Sequence, residues 1–322
     1  VMKHDPADPA WPDRDRFVLS NGHASILQYS LLFLNGYGLE IEDIEAFRSW
    51  ESRTPAHPEA GHTPGIEVTT GPLGQGFANA VGMAIAERVL AERFGSSAVD
   101  HHTYVIAGDG CFMEGVSHEA ASLAGHLALG KLICVYDDNN IMIDGDTELA
   151  YSDDVAGRFR AYGWDVVELG EIANDMDALE AALLAARAVT DRPSLLILRS
   201  HIGYPSPDHT DDHEAHGLAF DAADVTRTKA VMGIPDEPFW APDELVGAYR
   251  KRAAEVGAAL HSTWAQDNAD TIASDAWRAA WSSTGLPGWI EALPVTALGE
   301  QVATRKAIES AINATAEFLP GL

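Results

Sequence analysis

Cysteine is scarce in this chain, and no paired pattern of cysteines is present. Cys111 and Cys134 are the only two among 322 residues. Both belong to strand or post-strand contexts rather than to paired loops, which excludes the disulfide framework of a small secreted scaffold. Unpaired cysteines of this kind are typical of a reducing compartment, so we predict a cytoplasmic location.

Basic residues are also few. The chain has 21 lysines and arginines against 49 aspartates and glutamates, which gives a formal net charge of -28. A surface this acidic repels polyanions, so we predict no nucleic-acid partner and no binding to anionic membranes. A phosphorylated substrate would need a local cluster of positive groups, helix N-termini or a metal ion to overcome the general field.

Long apolar runs are missing as well. No stretch approaches the roughly 20 apolar residues of a membrane-spanning helix, and the first residues (Val-Met-Lys-His-Asp-Pro) lack an apolar signal-peptide core. We therefore expect no membrane segment. Since 46% of the residues are hydrophobic, the chain can still form one large domain or two smaller ones with substantial cores.

Between about residues 100 and 205, β-rich runs alternate with amphipathic segments. The predicted strands are 103–107, 132–136, 164–169 and 195–198, and the predicted helices are 113–129, 153–162 and 177–189. This alternation predicts an α/β fold, a parallel sheet with helices on both faces. A further long helix is predicted at 77–94, after a glycine-rich break.

The character of the chain changes after about residue 235. Helical segments there carry tryptophans, prolines and glycines follow at 286–294, and a last helix is predicted at 301–318. We therefore predict an α/β domain over 1–235, a helical extension and linker over 236–296, and the start of another region at 297–322.

The strongest chemical signal is Gly108-Asp109-Gly110 followed by Asn139. Both polar residues follow predicted strands joined by one helix, and right-handed crossover brings such strands close together, so the two side chains share one crevice. Oxygen ligands from Asp109 and Asn139, with a carbonyl from the following turn, suit Mg²⁺ or Ca²⁺. The flanking glycines let the backbone approach a ligand, such as a diphosphate bound to the cation. The alternative is an ordinary turn with Asp109 capping the next helix.

Five segments, in order along the chain, resemble the transketolase family. They are residues 19–24 (Leu-Ser-Asn-Gly-His-Ala), 54–59 (Thr-Pro-Ala-His-Pro-Glu), 69–76 (Thr-Thr-Gly-Pro-Leu-Gly-Gln-Gly), 108–115 (Gly-Asp-Gly-Cys-Phe-Met-Glu-Gly) with 136–139 (Tyr-Asp-Asp-Asn), and 303–307 (Ala-Thr-Arg-Lys-Ala). The resemblance implies a thiamine-diphosphate-binding fold with a helical C-terminal extension. It makes 1–235 the diphosphate-binding domain and 297–322 an incomplete first segment of a pyrimidine-binding domain.

The resemblance also implies the cofactors and their ligands. Thiamine diphosphate would be bound together with Mg²⁺ or Ca²⁺. The metal would be held by the side chains of Asp109 and Asn139 and by the carbonyl of Ile141. The residues implied to contact the cofactor are His23, Gly71, Pro72, Leu73, Gly108, Gly110, Asn139 and His216.

Catalytic and substrate roles follow from the same resemblance. His23, His57 and His216 would be catalytic, since imidazoles titrate near neutral pH and can carry protons or bind hydroxyls. His57 and His216 would contact the sugar, and Arg305 would bind its phosphate with a planar guanidinium. Glu114 and Glu119 would form a proton relay between the two active sites of a homodimer.

The activity implied is that of a transketolase in the pentose phosphate pathway of carbohydrate metabolism. A two-carbon ketol (glycolaldehyde) unit moves from a ketose phosphate to an aldose phosphate. Complete members of the family begin earlier, with a His-Pro-Gly segment, and continue into the pyrimidine-binding domain. Three explanations are open: a fragment, an incomplete sequence, or one subunit of a split enzyme. We favour a fragment, and we expect the chain by itself to be inactive.

Other functions stay open on the sequence. A related thiamine-diphosphate ketol transferase, such as a dihydroxyacetone synthase, would share these motifs, and a catalytically silent fragment would keep only the binding site. A remote alternative is a metal-dependent hydrolase, because one acidic loop contains several potential metal ligands. These ligands are His209, Asp211, Asp212, His213 and His216.

Overall fold

The computed structural model describes residues 1–217 and 219–321. The strands are β1 (Arg16–Leu19), β2 (Thr103–Gly108), β3 (Leu132–Asp138), β4 (Ile141–Met142), β5 (Gly145–Asp146), β6 (Asp165–Gly170) and β7 (Ser194–Arg199). The helices are α1 (Ser25–Asn35), α2 (Ile41–Glu45), α3 (Gln75–Phe94), α4 (Asp109–Met113), α5 (Gly115–His126), α6 (Val155–Ala161), α7 (Met176–Arg187), α8 (Glu214–Gly217), α9 (Ala222–Met232), α10 (Asp243–Asp267), α11 (Ala269–Ile272), α12 (Asp275–Trp281) and α13 (Thr304–Thr315). Single 3-10 turns lie at Gly22–Ala24 and Thr147–Leu149.

Five strands form one sheet in the order β1-β2-β3-β7-β6, and every neighbouring pair is parallel. Strands β4 and β5 form a separate antiparallel hairpin. The predicted α/β fold with a parallel sheet is therefore confirmed.

The core follows from the two-residue repeat of the strands. Val105, Cys134 and Leu195 belong to a large buried cluster, whereas the adjacent Tyr104 and Ile133 belong to a second, smaller one. Because successive strand residues point to opposite faces, both faces of the sheet are covered. The large cluster also contains the aromatic rings Phe77, Phe112, Phe159 and Trp164, which pack at centroid distances of 5.0–6.2 Å.

All four predicted strands are present, with ends that differ by only a residue or two. Strand β1 was missed, because its four residues form too short a run to predict. The helix predicted at 113–129 is present as α5, which is shorter at both ends. The short helix α4 before it was not predicted; it is separated from α5 at Glu114, whose backbone is extended (φ -77°, ψ 133°).

The chain divides into two compact units. The first comprises residues 1–86 and 101–259 and contains the sheet; the second comprises 87–100 and 260–322 and is helical. In the second unit, the indole N–H of Trp264 donates to the carbonyl of Ala98 at 2.9 Å, and Trp277 packs edge-on against Phe94. The boundaries predicted at 235 and 296 stay a prediction.

No helix within the described ranges is both long enough and apolar enough to cross a bilayer. The longest, α10, has 25 residues but includes many charged side chains. This agrees with the absence of long apolar runs from the sequence.

Candidate functional site

A cavity of about 780 Å³ opens beside the carboxyl ends of β2 and β3. Such ends are where open parallel sheets bind ligands. Nine of the residues predicted from the sequence line it: His23, Gly71, Leu73, Gly108, Asp109, Gly110, Asn139, Ile141 and His216. Segments far apart in the chain thus meet at one place.

Asp109 is the first residue of α4, directly after β2, and is only 5% exposed. One carboxylate oxygen, Oδ1, accepts a hydrogen bond of 2.5 Å from the hydroxyl of Tyr136 on β3. The other oxygen, Oδ2, is buried and has no hydrogen-bond partner among the described residues. An unpartnered buried carboxylate oxygen is costly unless a cation compensates it, so this atom is a candidate cation ligand.

Asn139 follows β3, the neighbour of β2, as predicted. Its Oδ1 accepts the backbone N–H of Ile141 at 2.9 Å, and Asn140 between them adopts a left-handed conformation (φ 62°). This tight turn brings the Ile141 end of the segment back toward the cavity. Asp109, Asn139 and the Ile141 carbonyl offer hard oxygen donors, the set that Mg²⁺ and Ca²⁺ prefer, so the residues fit the cation implied by the sequence.

The electrostatics of Asp109 agree with this fit. The pKa of its carboxyl group is raised to about 6, mainly by burial and to a smaller extent by the nearby Asp138 and Asp137. The hydrogen bond from Tyr136 and the backbone N–H of Asn139 act in the opposite direction. Burial and the adjacent carboxylate raise the pKa of Tyr136, so its hydroxyl stays protonated and donates a hydrogen bond to Asp109.

Two of the predicted histidines stack in the cavity. The rings of His23 and His216 have centroids 4.9 Å apart and planes inclined by 20°. Burial lowers the pKa of His23 to about 4, with smaller contributions from His216, His57 and Arg48, and burial also lowers the pKa of His216. Both rings are therefore neutral at pH 7 and can accept a proton.

His57 does not line the cavity but lies beside it. A methyl group placed on Gly71 would be 3.5 Å from the His57 ring, so the two residues are adjacent. Gly71 itself has a φ of 156°, a conformation that other residues rarely adopt. The next residue, Pro72, is exposed and is absent from the cavity lining.

Besides His57 and Pro72, three further predicted residues lie outside the cavity lining. Glu114 is the exposed junction between α4 and α5, and Glu119 is exposed on α5. Arg305 is exposed in the first turn of α13, in the second compact unit. The roles assigned to them stay predictions.

Arg48 and Asn21 line the cavity but were missed in the sequence. The backbone of Arg48 is left-handed (φ 64°) and its N–H donates to the Thr54 carbonyl at 3.0 Å. Asn21 is buried after β1, and its Oδ1 has no partner among the described residues. Arg48 lies outside every segment that carried a signal in the sequence. Asn21 lies inside the segment 19–24 that carried the resemblance.

The acidic histidine loop does not assemble all five proposed hydrolase ligands. His209 and Asp212, with Glu214, form a group whose potential ligand atoms all lie within 4.8 Å of one another. However, His209 already pairs with Asp224 at 3.1 Å, Asp211 pairs with His201, and His216 stacks on His23 in the cavity. His209, Asp211 and His216 are therefore engaged by residues outside the loop rather than gathered around one common point.

Curated relatives cover the whole chain. It is 47% identical to the transketolase of Nostoc sp. over 331 residues and 46% identical to transketolase 1 of Escherichia coli over 332, which involve 100% and 99% of this chain. It spans about half the length of these relatives, 49% and 50%. A transketolase of Cupriavidus necator is 53% identical over 266 residues, 82% of this chain and 39% of the relative.

Solved structures of transketolases are also similar to this chain. The transketolase of Leishmania mexicana superposes with a TM-score of 0.93 at 41% identity, covering 99% of this chain and 48% of that one. A Pichia stipitis transketolase in complex with sedoheptulose-7-phosphate has a TM-score of 0.92, also at 41% identity and with the same coverage. The sequence profile described as transketolase, thiamine diphosphate binding domain, matches residues 1–283. The chain therefore belongs to the transketolase family and contains its thiamine diphosphate-binding domain.

Proposed function

We propose that this chain forms the diphosphate-binding part of a transketolase, which transfers a two-carbon ketol unit from a ketose phosphate to an aldose phosphate. The observation that carries the proposal is the buried, unpartnered Oδ2 of Asp109 beside Asn139 and Ile141, within a family known by its thiamine diphosphate-binding domain. The relatives named as transketolases favour this activity over a hydrolase or a dihydroxyacetone synthase.

In this proposal Asp109, Asn139 and the Ile141 carbonyl hold Mg²⁺ or Ca²⁺, which offsets the charge of the diphosphate in an acidic protein. Gly110 lets the backbone approach the diphosphate, and Gly71 and Leu73 line the cofactor. When bound, thiamine diphosphate supplies the nucleophilic carbon for cleavage and formation of the carbon–carbon bond. The chain's own residues bind, orient and move protons.

The neutral histidines serve as proton acceptors and hydroxyl ligands. His23 and His216 are kept unprotonated by burial, so each can take a proton at a ring nitrogen without first losing one. His57, at the exposed rim beside Gly71, is positioned to bind sugar hydroxyls. We expect Pro72 to contribute to the same rim.

The substrates are proposed to be sugar phosphates. Pichia stipitis transketolases have been solved with sedoheptulose-7-phosphate, xylulose-5-phosphate and fructose-6-phosphate, all ketose phosphates. In this chain Arg305 would bind the phosphate, and Arg48 adds a positive charge at the cavity. A cytoplasmic homodimer of the pentose phosphate pathway, with Glu114 and Glu119 relaying protons between sites, is part of the same proposal.

Calorimetric titration with thiamine diphosphate, with and without Mg²⁺ or Ca²⁺, tests the site. We expect binding that requires the metal and is lost in Asp109→Ala. Asp177→Ala, which removes an exposed carboxylate on α7, is the matched control and should bind like the wild type. Metal-independent binding, or equal binding by Asp109→Ala, would contradict the proposal.

The chain by itself is predicted to lack turnover. It spans about half the length of its curated relatives, and the family resemblance assigns the pyrimidine-binding residues to the other half. A coupled assay with xylulose-5-phosphate and an aldose phosphate should give no product above background. Turnover that is abolished by Asp109→Ala would show instead that this half suffices.

A further inference from the structure

A carboxylate that binds a cation through one oxygen needs its orientation fixed by its surroundings. The terminal torsion of aspartate has a broad energy profile, so the side chain alone does not select which oxygen faces the ligand. In the wall of the cavity, Asp109 is buried at the start of α4, and its two oxygens have different environments. Oδ1 accepts the Tyr136 hydroxyl at 2.5 Å, and Oδ2 has no partner within the described ranges.

The Tyr136 hydroxyl is itself held rigidly. Its residue is 5% exposed, lies in the middle of β3, and is fixed to both β2 and β7 by the parallel ladder. The ring packs edge-on against Phe112 at a centroid distance of 5.1 Å. The donor position is therefore set by the sheet and core, and Asp109 must turn Oδ1 toward it.

We propose that Tyr136 is a positioning residue that holds Oδ1 of Asp109 and leaves Oδ2 as a single-oxygen ligand for the divalent cation, an inference that rests on the proposed cation site. Because one oxygen is occupied, the carboxylate cannot bind the ion through both. Mg²⁺ demands a near-ideal octahedral arrangement, whereas Ca²⁺ accepts carboxylates through one or two oxygens. By occupying Oδ1, Tyr136 thus favours binding of the ion through Oδ2 alone, a coordination that fits the octahedral preference of Mg²⁺.

The test compares Tyr136→Phe with Tyr151→Phe in the full chain. Tyr151 packs against the same core, but its hydroxyl donates to the Phe112 carbonyl at 3.1 Å rather than to Asp109. Binding of Mg²⁺ and of Ca²⁺ is measured by calorimetry with thiamine diphosphate present, and urea unfolding reports the folded fraction. Outer-shell partners of metal ligands contribute about 10- to 100-fold in affinity, and we expect a Mg²⁺ loss of that size for Tyr136→Phe.

The ratio of the two metals separates positioning from a general structural role. Tyr136→Phe should lose more affinity for Mg²⁺ than for Ca²⁺, whereas Tyr151→Phe should leave both affinities and their ratio unchanged. Equal losses for the two metals, or a loss of stability with unchanged affinities, would overturn the role of Tyr136. A third variant, Asp109→Asn, tests the cation site separately from the role of Tyr136. If Asp109→Asn still binds the metal, or if the wild-type chain binds none, the proposed cation site itself is wrong.

Discussion

At the scale of single residues, burial without a partner distinguishes Asp109 from the many other acidic side chains. With 49 aspartates and glutamates, composition gives no reason to single one out, and most are exposed. Asp109 is buried between two strand ends, and its Oδ2 lacks a partner among the described residues. A site that holds an uncompensated charge for a ligand should reduce the stability of the ligand-free protein.

Replacing Asp109 by asparagine should stabilise the metal-free chain at neutral pH. The folded pKa of about 6 exceeds the usual 3.8, so ionisation disfavours folding as the pH rises through this window, and the full cost is present above pH 6. Asparagine keeps an acceptor for Tyr136 but carries no charge. We expect a gain on the order of 1–3 kcal/mol in urea unfolding at pH 7, and little gain near pH 4. If Asp109→Asn were no more stable than the wild type at pH 7, the ionised Asp109 carboxylate would not destabilise the metal-free chain.

The His23 ring should make the chain sensitive to acid. Its folded pKa of about 4 lies below the usual 6.5, so the unfolded state binds the proton more readily, and stability falls as the pH decreases from 6.5 to 4. His23→Gln should flatten the pH dependence of the free energy of unfolding in this window. His126→Gln, at an exposed position on α5, is the control and should leave the slope as in the wild type. If the free energy of unfolding of the two variants had the same pH dependence, His23 would not be the source of the acid sensitivity.

At the scale of secondary-structure elements, the N-terminus of α3 connects two segments of the site. The Ser20 side chain, at the end of β1, accepts the Phe77 backbone N–H at 3.0 Å and is fully buried. A methyl group on Gly76 would lie 2.7 Å from the Ser20 Cα, closer than real contacts allow. Gly76 is thus required for the close approach of α3 to the end of β1. This approach places residues 19–24 beside residues 69–76.

Gly76→Ala and Gly82→Ala form a matched pair within α3. The first should destabilise the chain by about 1–3 kcal/mol because the added methyl group forces the backbone of Ser20 away. The second has nothing within 4 Å of its new methyl group and should stabilise by roughly 0.5–1 kcal/mol through helix propensity. Thermal and urea unfolding measure both. A similar effect of the two substitutions would show that helix propensity, not close approach, dominates at Gly76.

At the scale of the whole molecule, the net charge of -28 is the dominant feature. Repulsion among surface carboxylates opposes the compact state, and salt screens it, with a Debye length of roughly 30 Å at 0.01 M and 3 Å at 1 M. The same field disfavours anionic ligands, so the sugar phosphates of the proposed function would need the proposed divalent cation and the positive charge of Arg48 at the cavity.

Raising the KCl concentration from about 0.01 M to about 1 M should therefore raise the melting temperature of the metal-free chain. Differential scanning calorimetry measures this, and a non-ionic osmolyte at matched osmolality separates screening from general exclusion effects. A melting temperature that stays constant or falls with KCl would mean that the carboxylates are already compensated by local pairs.

The sequence by itself determined the α/β class, four of the five sheet strands and the pairing of Asp109 with Asn139, because strand periodicity and strand-end motifs are local properties. The family followed from short ordered motifs. Tertiary structure alone decided the edge strand β1, the stacking of His23 on His216 and the partner of Asp109. Those features depend on contacts between residues 27 to 193 positions apart in the chain, and local patterns carry no information about such contacts.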